Sequence, residues 1–142
     1  MKALSVKQPY AEQIARGAKS REYRTWCVSH RGPLLIVASK SPRIGALPCG
    51  VAVCTVDVVD VTGSPGRYAW ILANPRRVEP FAVRGFAALY TAPDALIVPM
   101  AGEPAYARAS VGEGAEEGEE GESRRVREGR AATRKLLALL RR

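Results

Sequence analysis

Short runs of apolar residues, punctuated by glycine and proline, run through the first hundred positions. Leu4 and Val6 share one face of a predicted strand over residues 3–7. Residues 34–38 are almost entirely apolar, which predicts a strand buried on both faces. The valine-rich stretch 50–62 predicts a longer strand. Residues 68–72, 81–83 and 87–90 continue the pattern, with a predicted interruption at residues 74–77.

One early segment has helical spacing instead. Tyr10 and Ile14 recur four residues apart, Pro9 suits the first helical turn, and Gly17 suits the end of a helix. A further strand is expected to begin near Arg21. One early helix among many short strands predicts an α+β fold that is mostly β, as a small closed or half-open barrel rather than a doubly wound sheet.

The composition changes after Met100. Residues 110–122 contain six glutamates, several glycines and no basic residue, which predicts a flexible acidic linker. Residues 123–142 hold eight Lys or Arg against Glu128 alone, and their interrupted leucine stripe predicts a basic amphipathic C-terminal helix. We expect that helix to dock on the barrel, on a partner subunit or on an acidic surface. The barrel domain is then residues 1–109.

The overall charge favours polyanionic partners. The chain has 22 Lys and Arg against 14 Asp and Glu, a formal net charge of +8. Its apolar runs are much shorter than the roughly 20 residues of a membrane span, and the first residues do not resemble a secretory signal. We therefore expect a cytoplasmic protein that does not interact with membranes.

Metal and cofactor sites are not expected. The three cysteines lack Cys-x-x-Cys spacing and His30 is the single histidine, so a zinc site is not indicated and buried reduced thiols are predicted. Phosphate-loop, serine-hydrolase-elbow and His-Glu-x-x-His motifs do not occur in the sequence.

The polar chemistry concentrates in residues 16–26. Strand alternation puts Glu22, Arg24 and Trp26 on one face, with Lys19 in the preceding turn. These groups can hold one another and still bind an anionic or amide-bearing ligand. The alternative is an exposed ion pair that stabilises little. Ser39 and Lys40, at the end of the buried strand, either line a cleft or form a solvated strand end.

Several spaced segments agree with one known family. Residues 4–10, 17–26 and 31–40 match in order, followed by residues 68–72, 74–77 and 83–85, and the most specific is Gly-x-Lys-x-x-Glu-x-Arg at 17–24. Together they resemble the ASCH domain, a relative of the PUA RNA-binding barrel, over roughly residues 2–92. Tyr10 stands where the family often has tryptophan.

The resemblance implies a PUA-like β-barrel whose cleft binds RNA or a modified nucleoside. In such a binding module, basic side chains contact phosphate or ribose and an aromatic ring stacks on a base. The predicted ligand residues are Lys7, Gln8, Tyr10, Lys19, Glu22, Arg24, Trp26, Ser39 and Lys40.

The same family also includes ribonucleases and an amidohydrolase that deacylates N4-acetylcytidine. Lys19 matches the lysine of that enzyme, whereas Glu22 stands where its catalytic threonine falls. The alternative function is therefore a hydrolase of RNA or of a modified base, with Lys19 and Glu22 as its acid and base pair. We favour the binding module.

Overall fold

The computed structural model describes residues 1–103, which form six strands, one α-helix and one 3-10 turn. The predicted linker at 110–122 and the predicted C-terminal helix at 123–142 lie outside the described residues. The elements in chain order are β1 (Lys2–Val6), α1 (Tyr10–Ala15), β2 (Arg21–Arg24), β3 (Gly32–Ala38), β4 (Ala52–Ser64), β5 (Arg67–Arg77), β6 (Tyr90–Thr91) and a 3-10 turn (Asp94–Leu96).

The strands belong to one mixed sheet in the order β2-β5-β4-β3-β1-β6. β1 runs parallel to β3 and antiparallel to β6, and β2 runs antiparallel to β5. The β-branched and apolar residues that predict β3 and β4 are buried along most of both strands. The prediction of a mostly β, α+β fold with one early helix is confirmed.

Two predictions about the later strands are wrong. β5 continues through Arg77 instead of stopping at residue 74. Asn74 adopts a positive φ of 52°, a conformation that asparagine tolerates better than most residues, and its Nδ2 donates to Asp57 Oδ2 at 2.9 Å. Residues 81–90 contribute only an isolated bridge between Val51 and Ala82 and the first residue of β6.

The chain divides into two compact units. The first comprises Met1–Lys19, Pro33–Asp57 and the described residues from Asn74 onward. Its core includes buried apolar residues of β1, β3 and β4 together with two from the last segment: Ala3, Leu35, Val37, Ala52, Val78 and Ala92.

The second unit comprises Ser20–Gly32 and Val58–Ala73. Trp70 is fully buried in it, and the ring of Trp26 meets Trp70 edge-on with 4.8 Å between centroids. Trp70 Nε1 also donates to the Trp26 carbonyl oxygen at 3.3 Å.

Within residues 1–103, none of the helical segments combines the length and apolar character needed to cross a bilayer.

Candidate functional site

Four of the predicted ligand residues flank α1 in the first unit. Lys7 is exposed, and Tyr10, which begins the helix, is 51% exposed. The Lys19 ammonium lies 5.7 Å from the Tyr10 ring centroid, within range of a cation–π interaction. The turn that returns Lys19 to the helix uses Gly17 at a φ of 77°. The structure therefore brings Tyr10 and Lys19 together at the surface.

Gln8 is the fourth residue, and its side chain is engaged inside the protein. It is 1% exposed, its Oε1 accepts the Glu12 backbone N–H at 3.0 Å, and its Nε2 donates to the Pro48 carbonyl at 2.9 Å. Gln8 thus holds the start of α1 to the loop before β4. These two hydrogen bonds replace those that the Gln8 amide would make with water, as buried polar groups in folded proteins require.

Sequence reasoning missed a second connection from α1. Arg77, the last residue of β5, pairs with Glu12 through both guanidinium Nη atoms. The hydrogen bond to Glu12 raises the pKa of Arg77. Two carboxylate oxygens facing a guanidinium fork form a strong, geometrically defined contact, so this pair fixes the helix that carries Tyr10.

A cleft of about 390 Å³, which we call the Ser39 cleft, lies at the end of β3 in the first unit. Two backbone hydrogen bonds connect the segments that line it. Ser39 N–H donates to the Val6 carbonyl at 2.9 Å, and Val83 N–H donates to the Gly50 carbonyl at 3.2 Å. The lining residues are Ser5, Val37, Ala38, Ser39, Lys40, Gly50, Val83, Arg84, Gly85, Phe86 and Ala87.

One wall of the Ser39 cleft is aromatic and basic. Phe86 is 52% exposed, and the Arg84 guanidinium carbon lies 5.6 Å from its ring centroid. The ring centroid of Tyr90 lies 5.1 Å from that of Phe86, and the Tyr90 hydroxyl forms a hydrogen bond with Ser5 Oγ at 3.0 Å. Burial raises the pKa of Tyr90, while the bond to Ser5 opposes that rise. The phenol is thus neutral at physiological pH.

Two glycines keep the Ser39 cleft open. A Cβ at Gly85 would lie 2.8 Å from Ser5 Oγ, and a Cβ at Gly50 would lie 3.3 Å from Lys40 Cγ. Gly50 also has a φ of 71°, which favours glycine. A side chain at Gly85 would press on the Ser5 hydroxyl, and one at Gly50 would press on the aliphatic stem of Lys40.

The sequence identifies part of this cleft only. Ser39 and Lys40 are predicted site residues, whereas Ser5, Arg84 and Phe86 are not. The resemblance to the ASCH domain includes residues 83–85 without giving them a role, and the pairing of a basic residue with an aromatic at 84 and 86 is the signal that could have identified them.

Glu22, Arg24 and Trp26 lie in the second unit. Glu22 is buried, and Arg24 Nε lies 3.4 Å from Glu22 Oε1, with side chains only 11% and 21% exposed. The ion pair is therefore sheltered rather than fully solvated. The Trp26 ring packs on Trp70, as described above, which limits it as a stacking platform. Lys19 belongs to the first unit, and its pairing with Glu22 stays a prediction.

Groups of three or more His, Cys, Asp or Glu side chains arranged to hold a metal ion do not occur within the described part of the chain. Its three cysteines are free thiols, of which Cys54 alone is buried, while Cys27 is exposed and Cys49 intermediate. The prediction of buried thiols therefore holds for Cys54 only.

Comparison with known proteins adds one finding. The family model for the ASCH domain matches residues 4–82. The chain belongs to the ASCH domain family. Membership supports a general role as a PUA-like RNA-binding module. The matched ASCH segment includes every predicted ligand residue from Lys7 to Lys40, whereas Arg84 and Phe86 of the Ser39 cleft lie just beyond it. No curated protein matches the chain.

Proposed function

We propose that this ASCH domain binds RNA and that the Ser39 cleft receives one of its nucleotides, plain or modified. The observation that carries the proposal is the combination of two cations, an exposed aromatic ring and two hydroxyls in one cleft. Its volume of about 390 Å³ lies within the roughly 300–1,000 Å³ of typical ligand pockets.

Phe86 is the proposed stacking platform for the base. Its ring is half-exposed and is supported from behind by Tyr90. Arg84 lies beside the same ring and can stack on the base or contact its phosphate. Unstacked bases of single-stranded RNA are commonly bound in this way.

Lys40 and Arg84 are the proposed phosphate contacts. Both side chains are exposed and line the Ser39 cleft. Ammonium and guanidinium groups make charge-assisted hydrogen bonds to phosphate oxygens, and the net charge of +8 favours the approach of a polyanion.

Ser5 and Ser39 are the proposed contacts for the ribose. A hydroxyl both donates and accepts, which suits the 2′-hydroxyl that distinguishes RNA from DNA. Ser5 Oγ is oriented by its hydrogen bond with the Tyr90 hydroxyl.

The surface pair of Tyr10 and Lys19 and the sheltered pair of Glu22 and Arg24 are proposed as further ligand contacts, each within its own unit. Glu22→Gln keeps the shape of the side chain and removes its charge, so we expect a small stability loss with a change in ligand selectivity. Exposed Glu79→Gln is the control. Equal behaviour of the two variants in melting and binding would show that Glu22 is only a structural partner of Arg24.

A competition between RNA and DNA of the same sequence tests the main proposal. We expect single-stranded RNA to bind more tightly than DNA, and Phe86→Ala to weaken RNA binding by roughly 5- to 150-fold, the range of one base–aromatic stack. Lys40→Gln should reduce the magnitude of the slope of log affinity against log salt by about 0.7, which corresponds to one phosphate on a single strand.

Two control variants match these changes. Leu96 is 49% exposed, close to the value for Phe86, and does not line the Ser39 cleft, so Leu96→Ala should leave affinity unchanged. Exposed Lys2 lies outside the cleft lining too, and Lys2→Gln should keep the salt slope. If Phe86→Ala and Leu96→Ala behave alike, the Ser39 cleft is not the nucleotide site.

The same samples address hydrolysis. Incubating the protein with modified nucleosides and short RNAs, followed by mass analysis, would reveal turnover. Turnover that is lost in both Lys19→Ala and Glu22→Ala would replace the binding module with the hydrolase alternative. We expect the RNAs to stay intact. A cytoplasmic site of action remains part of the proposal.

A further inference from the structure

A second cleft, of about 470 Å³, lies in the second unit, and we call it the Tyr23 cleft. It is formed by the end of β2 and by the residues on both sides of the β4–β5 turn. The lining residues are Tyr23, Arg24, Thr25, Thr62, Gly63, Gly66, Arg67, Tyr68 and Ala69.

The aromatic groups of this cleft are presented by two paired strands. Tyr23 is 64% exposed, the highest value among the exposed large apolar and aromatic residues described. Its cross-strand partner on β5 is Ala69. Arg24 pairs with Tyr68 in the same register. An exposed ring on an ordered strand can receive a planar ligand at little entropic cost.

Arg67 supplies the positive charge of the Tyr23 cleft. Arg24 also lines it, but the buried Glu22 carboxylate lies 3.4 Å from Arg24 Nε and offsets its charge. Arg67 is exposed, while Arg24 is oriented by Glu22 through its Nε. The exposed guanidinium of Arg67 and two threonine hydroxyls in one cleft complement a phosphate together with its sugar.

The turn that closes the cleft has a fixed backbone. Gly63 has a φ of 117°, and a Cβ there would lie 2.1 Å from the Arg67 carbonyl oxygen. Gly66 has a φ of 86°, and its N–H donates to the Thr25 carbonyl at 3.0 Å. This hydrogen bond holds the turn against the end of β2. The cleft is therefore largely formed before any ligand binds.

We propose that the Tyr23 cleft is a second nucleotide site, which binds a base of single-stranded RNA on Tyr23 and its phosphate on Arg67. The proposal rests on the RNA-binding function proposed above and adds a separate set of residues to it. Exposed tyrosines next to arginines are the combination used to stack bases and neutralise phosphates along single strands.

Amide resonances of the full chain can monitor the two clefts separately. With a short oligouridylate as the probe, we expect the amides of Gly63 and Gly66 to shift along with those of Gly50 and Gly85. In Phe86→Ala, the shifts at Gly63 and Gly66 should persist. In Tyr23→Ala, they should be lost while those at Gly50 and Gly85 remain.

Affinity measurements complete the test. Tyr23→Phe should bind oligouridylate as the wild type does, because the ring is retained, and Tyr23→Ala should lose roughly 5- to 150-fold in affinity for this cleft. Arg67→Gln should reduce the magnitude of the salt slope by about 0.7. Arg16→Gln changes an exposed arginine outside the lining of the Tyr23 cleft and should leave the salt slope unchanged.

Three results would overturn the inference. If the RNA shifts Gly50 and Gly85 but leaves Gly63 and Gly66 unmoved, the second site is wrong and the proposed function stands. If neither pair moves, both proposals are wrong. If an acidic peptide shifts Gly63 and Gly66 and the RNA does not, the Tyr23 cleft is a protein-binding surface.

Discussion

Cys54 is the buried thiol of β4. Burial raises its pKa from 9.0 to about 12, although the positive charge of Arg77 opposes part of the rise. The thiolate would have to form away from water, so Cys54 stays protonated and unreactive at physiological pH. Cys27 is exposed and is therefore more accessible than Cys54.

The pKa of Cys54 predicts a loss of stability in alkali. As the pH rises above 9, the unfolded chain releases the thiol proton before the folded chain does. The free energy of unfolding should therefore fall by about 1 kcal/mol per pH unit towards pH 12, with no contribution from Cys54 well below pH 9. Urea unfolding at several pH values measures this slope. In Cys54→Ala, the slope should be shallower, and an unchanged slope would mean that Cys54 does not cause it.

At the scale of elements, local sequence signals predict most strands but not their ends. β-branched runs predict β3 and β4 because those side chains suit a buried pleated strand. The continuation of β5 past Asn74 could not be predicted in this way, because it depends on a positive φ and on a hydrogen bond to Asp57, which lies 17 residues earlier. The separate strands predicted over residues 81–90 fail for a related reason, since they have few strand partners.

Helix α1 should depend on the pair of Glu12 and Arg77. The helix has only six residues and is too short to be stable by itself. Glu12→Gln removes the charge opposite Arg77, and we expect a loss of about 1–3 kcal/mol, the range of hydrogen bonds to charged groups. Arg76→Gln, at the neighbouring position, should change the free energy of unfolding by less than about 0.5 kcal/mol. Denaturant unfolding of both variants measures these changes in the free energy of unfolding. Equal losses in the two variants would contradict an anchoring role for Glu12.

The β4–β5 turn offers a matched pair of glycines. Gly63→Ala combines a φ of 117° with a steric clash at the Arg67 carbonyl, whereas Gly66→Ala has a φ of 86° and open space around its Cβ. Backbone strain of this kind costs about 1–3 kcal/mol, and the clash adds to it at Gly63 alone. Gly63→Ala should therefore lower the melting temperature further than Gly66→Ala. The reverse order would show that the turn can rearrange around a side chain at position 63.

At the scale of the whole molecule, the sequence predicts which residues end a buried strand but not which distant residues lie beside them. Ser39 and Lys40 are predicted and do line a cleft, because the end of a buried strand is a local feature. Ser5 and Phe86 join them only through the tertiary fold. Gln8 is predicted as a ligand contact, yet its amide is occupied by Glu12 and Pro48, an interaction that depends on the loop before β4.

Positive charge is concentrated in two separate parts of the chain. Residues 1–109 contain 14 basic and 7 acidic residues, a net charge of +7 out of the total of +8. In residues 110–142, the glutamates almost cancel the arginines and lysines. Residues 123–142 alone carry a net charge of +7, equal to that of residues 1–109, so truncation is needed to distinguish the two basic parts of the chain.

Truncation after Ala109 tests this division. Because residues 110–122 contain few apolar residues, the shortened protein should stay folded, with a melting temperature close to that of the full chain. Its affinity for single-stranded RNA and its salt slope should also be retained, since the residues of both proposed clefts lie before the cut. Insoluble or unfolded protein would show that Leu136, Leu137 and Leu140 complete the core. A folded protein that no longer binds RNA would assign the binding to the basic segment 123–142 instead of the two clefts.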